Sequence, residues 1–294
     1  GLAYAALART SYWSGYPSQG IEYGRQAVAL LEGTEEWDSQ GDAYRVLGLS
    51  YYFIGEFELA LEAMIQANTI HEQSTINLFT LGFIYATRGD WQEGIEACQR
   101  ALGRAPEPRR RALALGHLGQ AYLEQGDVAQ AIPLLEQSVQ QLSQFQQKRH
   151  QGWYMTYLSE AYLLDGQIDR ARELALQALE ITRTTKFWYA VGLAQRTLGR
   201  IALTRAALPE AETSLKEALG TFTSIEARFE LGRTHLDFAR LAHAQDDREV
   251  LTTHLTKAHF LFRALQVPKY VERAEQLARE FGVPLSQETA FVIG

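Results

Sequence analysis

The sequence predicts an all-α protein in the form of an α-solenoid, a stack of about seven helix-turn-helix repeats followed by a capping helix. Three observations lead to this fold class. A pattern of small and aromatic residues recurs seven times along the 294-residue chain. A glycine follows the first half of most copies, where a helix has to end. Leucine precedes most of the small residues that open a copy and continues a buried helical stripe. Self-similarity at such a period is typical of stacked supersecondary units.

The clearest copy of the pattern starts at Gly119. Tyr122 follows at +3, Gly126 at +7, Ala131 at +12 and Ser138 at +19. The other six copies start at a small residue and lie in the same phase: Ala8, Gly48, Gly82, Ser159, Gly199 and Ala239. The intervals between successive copies are 40, 34, 37, 40, 40 and 40 residues.

This spacing fits two antiparallel helices in each unit. The glycine at +7 ends the first helix, because a positive φ is needed there. Small residues at 0 and +12 let the two helices cross closely, and the aromatic residue at +3 fills the space beside the crossing. Intervals of 40 residues predict longer helices or longer links. Ala206 and Asp246 replace the turn glycine and Leu251 replaces a small residue, so we expect a less regular superhelix toward the C-terminus.

The elements follow in order along the chain. The seven repeats are predicted near residues 1–34, 41–74, 75–108, 112–148, 152–186, 192–228 and 232–266. The glutamine-rich segment 137–151 is compatible with an extended helix or with a mobile link. Pro268 starts a polar-faced capping helix, 268–281, which Gly282 stops, and residues 285–294 form a tail. Aromatic residues near the last three links are expected to staple units together: Phe187, Trp188, Phe229 and Tyr270.

The pattern resembles the tetratricopeptide repeat (TPR). The resemblance is carried by Leu47-Gly48-Leu49-Ser50-Tyr51 with Ala60 and Ala67, by Leu81-Gly82-Phe83-Ile84-Tyr85 with Ala101 and Pro106, and by Leu118-Gly119-Gln120-Ala121-Tyr122 with Ala131. It implies a right-handed superhelix whose first helices line a concave groove, and a function in protein–protein interaction. The 40-residue spacing also resembles the repeat arms of large bacterial signalling proteins. Since the pattern is already running at Tyr4, we expect this chain to be a fragment of such a protein.

Composition limits the function further. The net charge of −7 makes the whole chain a poor match for nucleic acid or an anionic membrane. No apolar run reaches the roughly 18 residues of a membrane span. The single cysteine, Cys98, cannot form an intrachain disulfide, and a reducing, cytoplasmic setting follows as the simplest expectation.

No catalytic pattern is visible in the sequence. His254 and His259 are five residues apart and do not share a helix face, and His235 and His243 would need further ligands to hold a metal. Cys98 occupies a core position and is expected to be inert. We therefore expect no enzyme activity, no metal and no cofactor.

The groove offers a better candidate site. By the resemblance, positions −6, −3, +1, +4 and +5 from the key small residue face the concave side. In the N-terminal and middle units these positions hold aromatic residues: Tyr12, Trp13, Tyr52, Phe53, Phe79, Phe83 and Trp153. In the C-terminal units they hold basic residues: Arg196, Arg200, Arg233, Arg240 and His243. We expect a protein or peptide partner, with arginines binding an acidic segment and aromatic residues taking apolar anchor side chains.

An alternative interpretation stays open. The aromatic residues could pack between first helices, and the arginines could pair with internal carboxylates: Glu217, Glu226, Glu230 or Asp237. The array would then be a structural spacer, or would self-associate as a homo-oligomer or contact the missing part of its own chain. Arg109, Arg110 and Arg111 open a helix and are expected to be solvated.

Overall fold

The computed structural model describes residues 1–72, 74–105 and 107–285. Within these ranges the chain forms fifteen helices and no strand. The helices are α1 (Leu2–Trp13), α2 (Pro17–Leu31), α3 (Trp37–Ile54), α4 (Phe57–Ile70), α5 (Thr75–Arg88), α6 (Trp91–Arg104), α7 (Pro108–Gln125), α8 (Val128–Gln144), α9 (Lys148–Leu164), α10 (Ile168–Thr184), α11 (Trp188–Thr204), α12 (Leu208–Ser224), α13 (Arg228–Ala244), α14 (Arg248–Ala264) and α15 (Pro268–Glu280).

The predicted α-solenoid is confirmed. The most extensive contacts join the two helices of each pair, and each pair packs on the next. Helix α15 follows the seventh pair and packs on α14. Pro106 and residues 286–294 of the predicted tail lie outside the described residues. In the described part of the chain, every helix is too short or too polar to cross a membrane.

Small residues allow the close helix crossings. A Cβ on Gly82 would lie 2.6 Å from the carbonyl oxygen of Gly94, so only glycine permits this approach of α5 to α6. The alanines at +12 are fully buried: Ala60, Ala131, Ala171 and Ala211. Leu251, which replaces this alanine in the last repeat, is also buried, at 3% exposure.

The turns are more regular than expected, and the prediction of an irregular C-terminal half was wrong. Ala206 and Asp246 adopt φ values of 56° and 57°, so they make the left-handed turn that glycine makes elsewhere. Each helix from α8 to α14 has 17 residues, whereas α4, α5 and α6 have 14. The longer interval thus comes from nearly one extra turn in each helix, at about 3.6 residues a turn. Segment 137–151 is neither one long helix nor a long link, because α8 ends at Gln144 and α9 begins at Lys148.

Side chains also join units far apart in sequence, along a line of contact that we call the seam. The rings of Trp13 and Phe187 lie 4.6 Å apart between centroids, and those of Phe57 and Phe229 lie 5.0 Å apart. Arg228 forms an ion pair with Glu56, 172 residues away. The predicted staples Phe187 and Phe229 therefore join distant units rather than neighbours alone. Trp188, by contrast, is 41% exposed.

We predict that Gly15→Ala destabilises the protein more than Gly166→Ala does. Both glycines have similar positive φ values, 88° and 81°, so both changes strain the backbone. A Cβ at residue 15 would also lie 2.9 Å from Ile225 Cγ2 across the seam, whereas a Cβ at residue 166 meets no described atom within 4 Å. The added overpacking should cost roughly 1–3 kcal/mol in urea denaturation. Equal losses would contradict the close packing of Gly15 against Ile225 across the seam.

Candidate functional site

A cavity of about 250 Å³ opens on the N-terminal half of the concave face. All its lining residues lie on first helices, namely α1, α3, α5, α7 and α9. Six of the seven predicted groove aromatics are among them: Tyr12, Trp13, Phe53, Phe79, Phe83 and Trp153. We call this cavity the arginine–aromatic pocket. The seventh, Tyr52, lies in the seam, where its hydroxyl is 3.0 Å from the Tyr189 hydroxyl.

The aromatic residues of the pocket pack against one another. Tyr12 stacks on Phe53 with 5.4 Å between ring centroids, and Phe83 meets Trp153 edge to face at 5.3 Å. All six are buried except Trp13, which is partly exposed. Most of their surface is therefore used in packing between helices, as the alternative interpretation expected. The cavity is the place where these rings leave room for another group.

Basic side chains border the same cavity. Arg9 and Arg45 both pair with Asp42, and both line the pocket. Arg109 also lines it, is exposed, and has no ion-pair partner among the described residues. The guanidiniums of Arg9, Arg45 and Arg109 therefore outnumber the Asp42 carboxylate, and this region is locally basic although the net charge of the chain is −7. Sequence analysis missed Arg9, although it occupies the +1 groove position of the first repeat, and it treated Arg109 only as a solvated helix start.

Three polar atoms in the pocket lining have no hydrogen-bond partner among the described residues. Trp153 Nε1, His117 Nδ1 and Arg9 Nε are all buried. Leaving such a group unsatisfied costs about 1–3 kcal/mol. Burial and the neighbouring His150 lower the pKa of His117 to about 3. Burial, Arg149 and Arg109 lower the pKa of His150 to about 4, so both rings are neutral at pH 7.

The C-terminal half of the concave face is filled by a buried charge network. It contains four arginines and four carboxylates: Arg196, Arg200, Arg233, Arg240, Glu124, Glu160, Glu230 and Asp237. Arg196, at 1% exposure, pairs with Glu230, and Arg233 Nη1 lies 2.9 Å from Glu124 Oε1. The structure therefore brings the predicted groove arginines together but supplies them with internal carboxylates. Their binding to an outside acidic segment stays a prediction.

The electrostatics of this network favour its charged form. Burial alone would raise the pKa of Glu160, but Arg200, Arg233 and Arg196 lower it to about 2. Tyrosine hydroxyls satisfy the second oxygens of two of the carboxylates, Glu230 and Glu124. Tyr189 donates to Glu230 at 2.9 Å, and Tyr270 donates to Glu124 at 2.8 Å.

The remaining predicted residues lie away from the pocket. His243 stacks on Phe281, with 4.0 Å between ring centroids. His235 and His254, on different helices, bring their Nδ1 atoms within 2.8 Å, a pairing that spacing within one helix did not reveal. Cys98 is fully buried, and burial raises the pKa of its thiol. No group of three or more His, Cys, Asp or Glu residues is arranged to hold a metal ion in the described part of the chain.

Comparison with known proteins supports the repeat fold. Residues 72–144 and 110–184 match a family model described as tetratricopeptide repeat. No curated protein matches the sequence significantly.

Among solved structures, a Rap protein complexed with Competence and Sporulation Factor is 12% identical, with a TM-score of 0.65, and the match covers 92% of this chain and 85% of that one. The APC/C hetero-tetramer Cut9-Hcn1 gives a TM-score of 0.65 at 15% identity, covering 92% of this chain and 48% of that one. A thermophilic TPR protein of Thermus thermophilus gives a TM-score of 0.51 at 20% identity, covering 62% of this chain and 91% of that one. These likenesses concern the fold.

We predict that Arg196→Ala destabilises the protein by roughly 3–5 kcal/mol, because it leaves Glu230 buried without the guanidinium that it pairs with most closely, whereas Glu160 keeps Arg200. The matched control is Arg183→Ala, which removes a half-exposed pair with Glu217 and should cost about 0–1 kcal/mol. Urea denaturation measures both. Wild-type stability in Arg196→Ala would contradict the structural role of the network.

A second prediction concerns pH. Because the pKa of His117 is about 3 in the folded protein, against 6.5 ordinarily, the unfolded chain binds the proton first as pH falls. His117 should therefore contribute a loss in the free energy of unfolding that starts near pH 6.5 and approaches about 1.4 kcal/mol per pH unit as the pH falls toward 5. His117→Phe should remove that part of the slope between pH 6.5 and 5. Identical slopes in the two proteins would show that His117 titrates normally.

Proposed function

Since the chain is a tetratricopeptide repeat protein, we propose that it binds a segment of another protein at the arginine–aromatic pocket. A protein-interaction scaffold is the function typical of this fold, and the pocket is the location that we propose for it. The observation that carries the proposal is the pairing of an open cavity with unpartnered polar atoms, Trp153 Nε1 and His117 Nδ1.

The two halves of the concave face support different roles. In the C-terminal half, each of the four arginines already has a carboxylate partner, and an acidic ligand would have to displace that carboxylate. In the N-terminal half, Arg109 has no partner among the described residues, and the cavity is open. An acidic segment with an apolar side chain fits the second environment, because guanidiniums bind carboxylates well and aromatic cavities hold apolar anchors.

The proposal extends to the biological setting. The array would be the sensor or regulatory arm of a larger bacterial signalling protein, acting in the reducing cytoplasm without a catalytic role or cofactor. Among the proteins of similar fold, the Rap protein is complexed with Competence and Sporulation Factor, which supports a ligand-binding role by analogy of fold. The change of superhelix on binding would then be the signal passed to an output domain.

A second candidate function is self-association or contact with another part of the same protein. The N-terminal helix pair, with its turn, and the first residue of α3 expose large apolar side chains. Leu2, Leu7, Tyr16, Leu30 and Trp37 are between 46% and 61% exposed. Exposed apolar groups of this size favour an interface when they form a patch. This function needs no groove ligand, and the array would be a spacer.

The groove function predicts that Arg109→Glu weakens peptide binding. Peptides selected from a random-sequence library on the wild-type protein should lose at least about tenfold in affinity, because a charge reversal removes an attractive pair and adds a repulsive one. Arg109 is exposed and unpaired among the described residues, so folding should be unaffected. Arg111→Glu is the matched control, since Arg111 is exposed on the same helix and does not line the pocket.

The opposite outcome separates the two candidates. Selection of no peptide, together with a dimer in light scattering that Trp37→Ala and Leu30→Ala dissociate, would favour self-association through the N-terminal face. Peptides that bind Arg109→Glu as well as the wild type would place the binding surface elsewhere.

A further inference from the structure

The size of the arginine–aromatic pocket restricts its ligand. Its volume of about 250 Å³ is below the roughly 300–1,000 Å³ of pockets for drug-sized molecules. The walls are rings and aliphatic side chains, including Phe53, Phe79 and Leu113. A cavity of this size and composition holds one apolar group comparable to a single amino-acid side chain.

The unpartnered atoms in the lining restrict the ligand's polar part. Trp153 Nε1 and Arg9 Nε are buried, have no hydrogen-bond partner among the described residues, and belong to groups that can only donate. His117 Nδ1 also lacks a partner and, on a neutral ring, can donate or accept. At least two donors therefore need acceptor atoms. A hydrocarbon alone would leave them unsatisfied.

The charges around the cavity restrict the ligand further. Arg9, Arg45 and Arg109 line it, and Asp42 is the carboxylate that pairs with the first two. Asp42 shows that a carboxylate beside Arg9 and Arg45 accepts from both guanidiniums at once. The Arg109 guanidinium is left to pair with an incoming group. A planar carboxylate matches the fork of a guanidinium.

We propose that the arginine–aromatic pocket binds a single apolar group that carries a carboxylate, with the overall size of one amino-acid residue. The apolar part occupies the aromatic cavity. The carboxylate accepts from Trp153 Nε1 and from the guanidiniums of Arg109 and Arg9. Two sources share this chemistry, namely the C-terminal residue of a protein segment and a free organic acid. The first source rests on the proposed function, and the second does not.

The direct test compares N-acetyl-L-phenylalanine with N-acetyl-L-phenylalaninamide. The two differ only in the terminal group, which is a charged carboxylate that only accepts in the acid and a neutral amide in the other compound. Binding is followed by tryptophan fluorescence, to which Trp13 and Trp153 of the pocket contribute, and by ligand-observed NMR. We expect the acid to bind the wild-type protein at least about tenfold more tightly than the amide.

Three variants locate the carboxylate. Arg109→Gln should reduce the preference for the acid to near unity, and Arg111→Gln, which changes an exposed arginine outside the pocket, should leave it intact. Trp153→Phe keeps an aromatic ring in the wall and removes the indole N–H. It should weaken binding of the acid severalfold, and circular dichroism and thermal unfolding verify that each variant is folded.

The outcomes distinguish this inference from the proposed function. Equal binding of acid and amide, or binding of neither, overturns the carboxylate ligand, while library peptides that still depend on Arg109 would leave the proposed function standing. If the protein prefers the acid but binds no library peptide, the result supports an apolar carboxylate as the ligand and indicates that this ligand is a free organic acid. Library peptides that bind only with a free C-terminal carboxyl group, and not when amidated, support the C-terminal residue as the source.

Discussion

Contact between aromatic rings from opposite halves of the chain determines the shape of this array. Trp13 meets Phe187, Phe57 meets Phe229, and Tyr52 reaches the Tyr189 hydroxyl. Repeats in a solenoid ordinarily contact only their neighbours. Here the first units also touch the last ones, so much of the concave face becomes interior. The arginine–aromatic pocket is an opening that remains on that face. It lies where the aromatic side chains of the first helices do not fill the space between them.

The C-terminal half of the concave face is also interior, but charged side chains fill it instead of aromatic rings. Where the seam encloses the C-terminal first helices, the sequence places arginines and carboxylates rather than apolar residues. Burying such charges is costly unless each is paired, and the pairing of four with four satisfies that requirement. Tyr189 connects this network to the seam by donating to Glu230. We expect this polar interior to favour one packing arrangement, because each charge has to meet its partner.

The sequence was sufficient to predict the features of the fold that depend on the spacing of nearby residues. The turn at Gly126 and the crossing at Gly82 follow from periodicity. The set of first-helix residues expected to face inward follows from the resemblance to the tetratricopeptide repeat. The partners of those residues could not be predicted in the same way. Arg196 and Glu230 are 34 residues apart, and Trp13 and Phe187 lie in units separated by several repeats. Their meeting depends on the curvature of the whole superhelix, a sum of small rotations that no single motif encodes. Ala206 shows a related limit, since its left-handed turn is imposed by the packing of the flanking helices against its intrinsic preference.

The seam also changes how such a chain reaches its native state. An open array gains stability one repeat at a time, and its folding can start anywhere. In this protein the partner of Phe187 belongs to the first repeat, so the contact that encloses the interior forms only when the intervening repeats are in place. Contacts of this sequence separation slow folding and couple the ends of the chain. Deleting a terminal repeat would therefore expose apolar rings far along the chain, and we expect the array to fold and unfold as one cooperative unit.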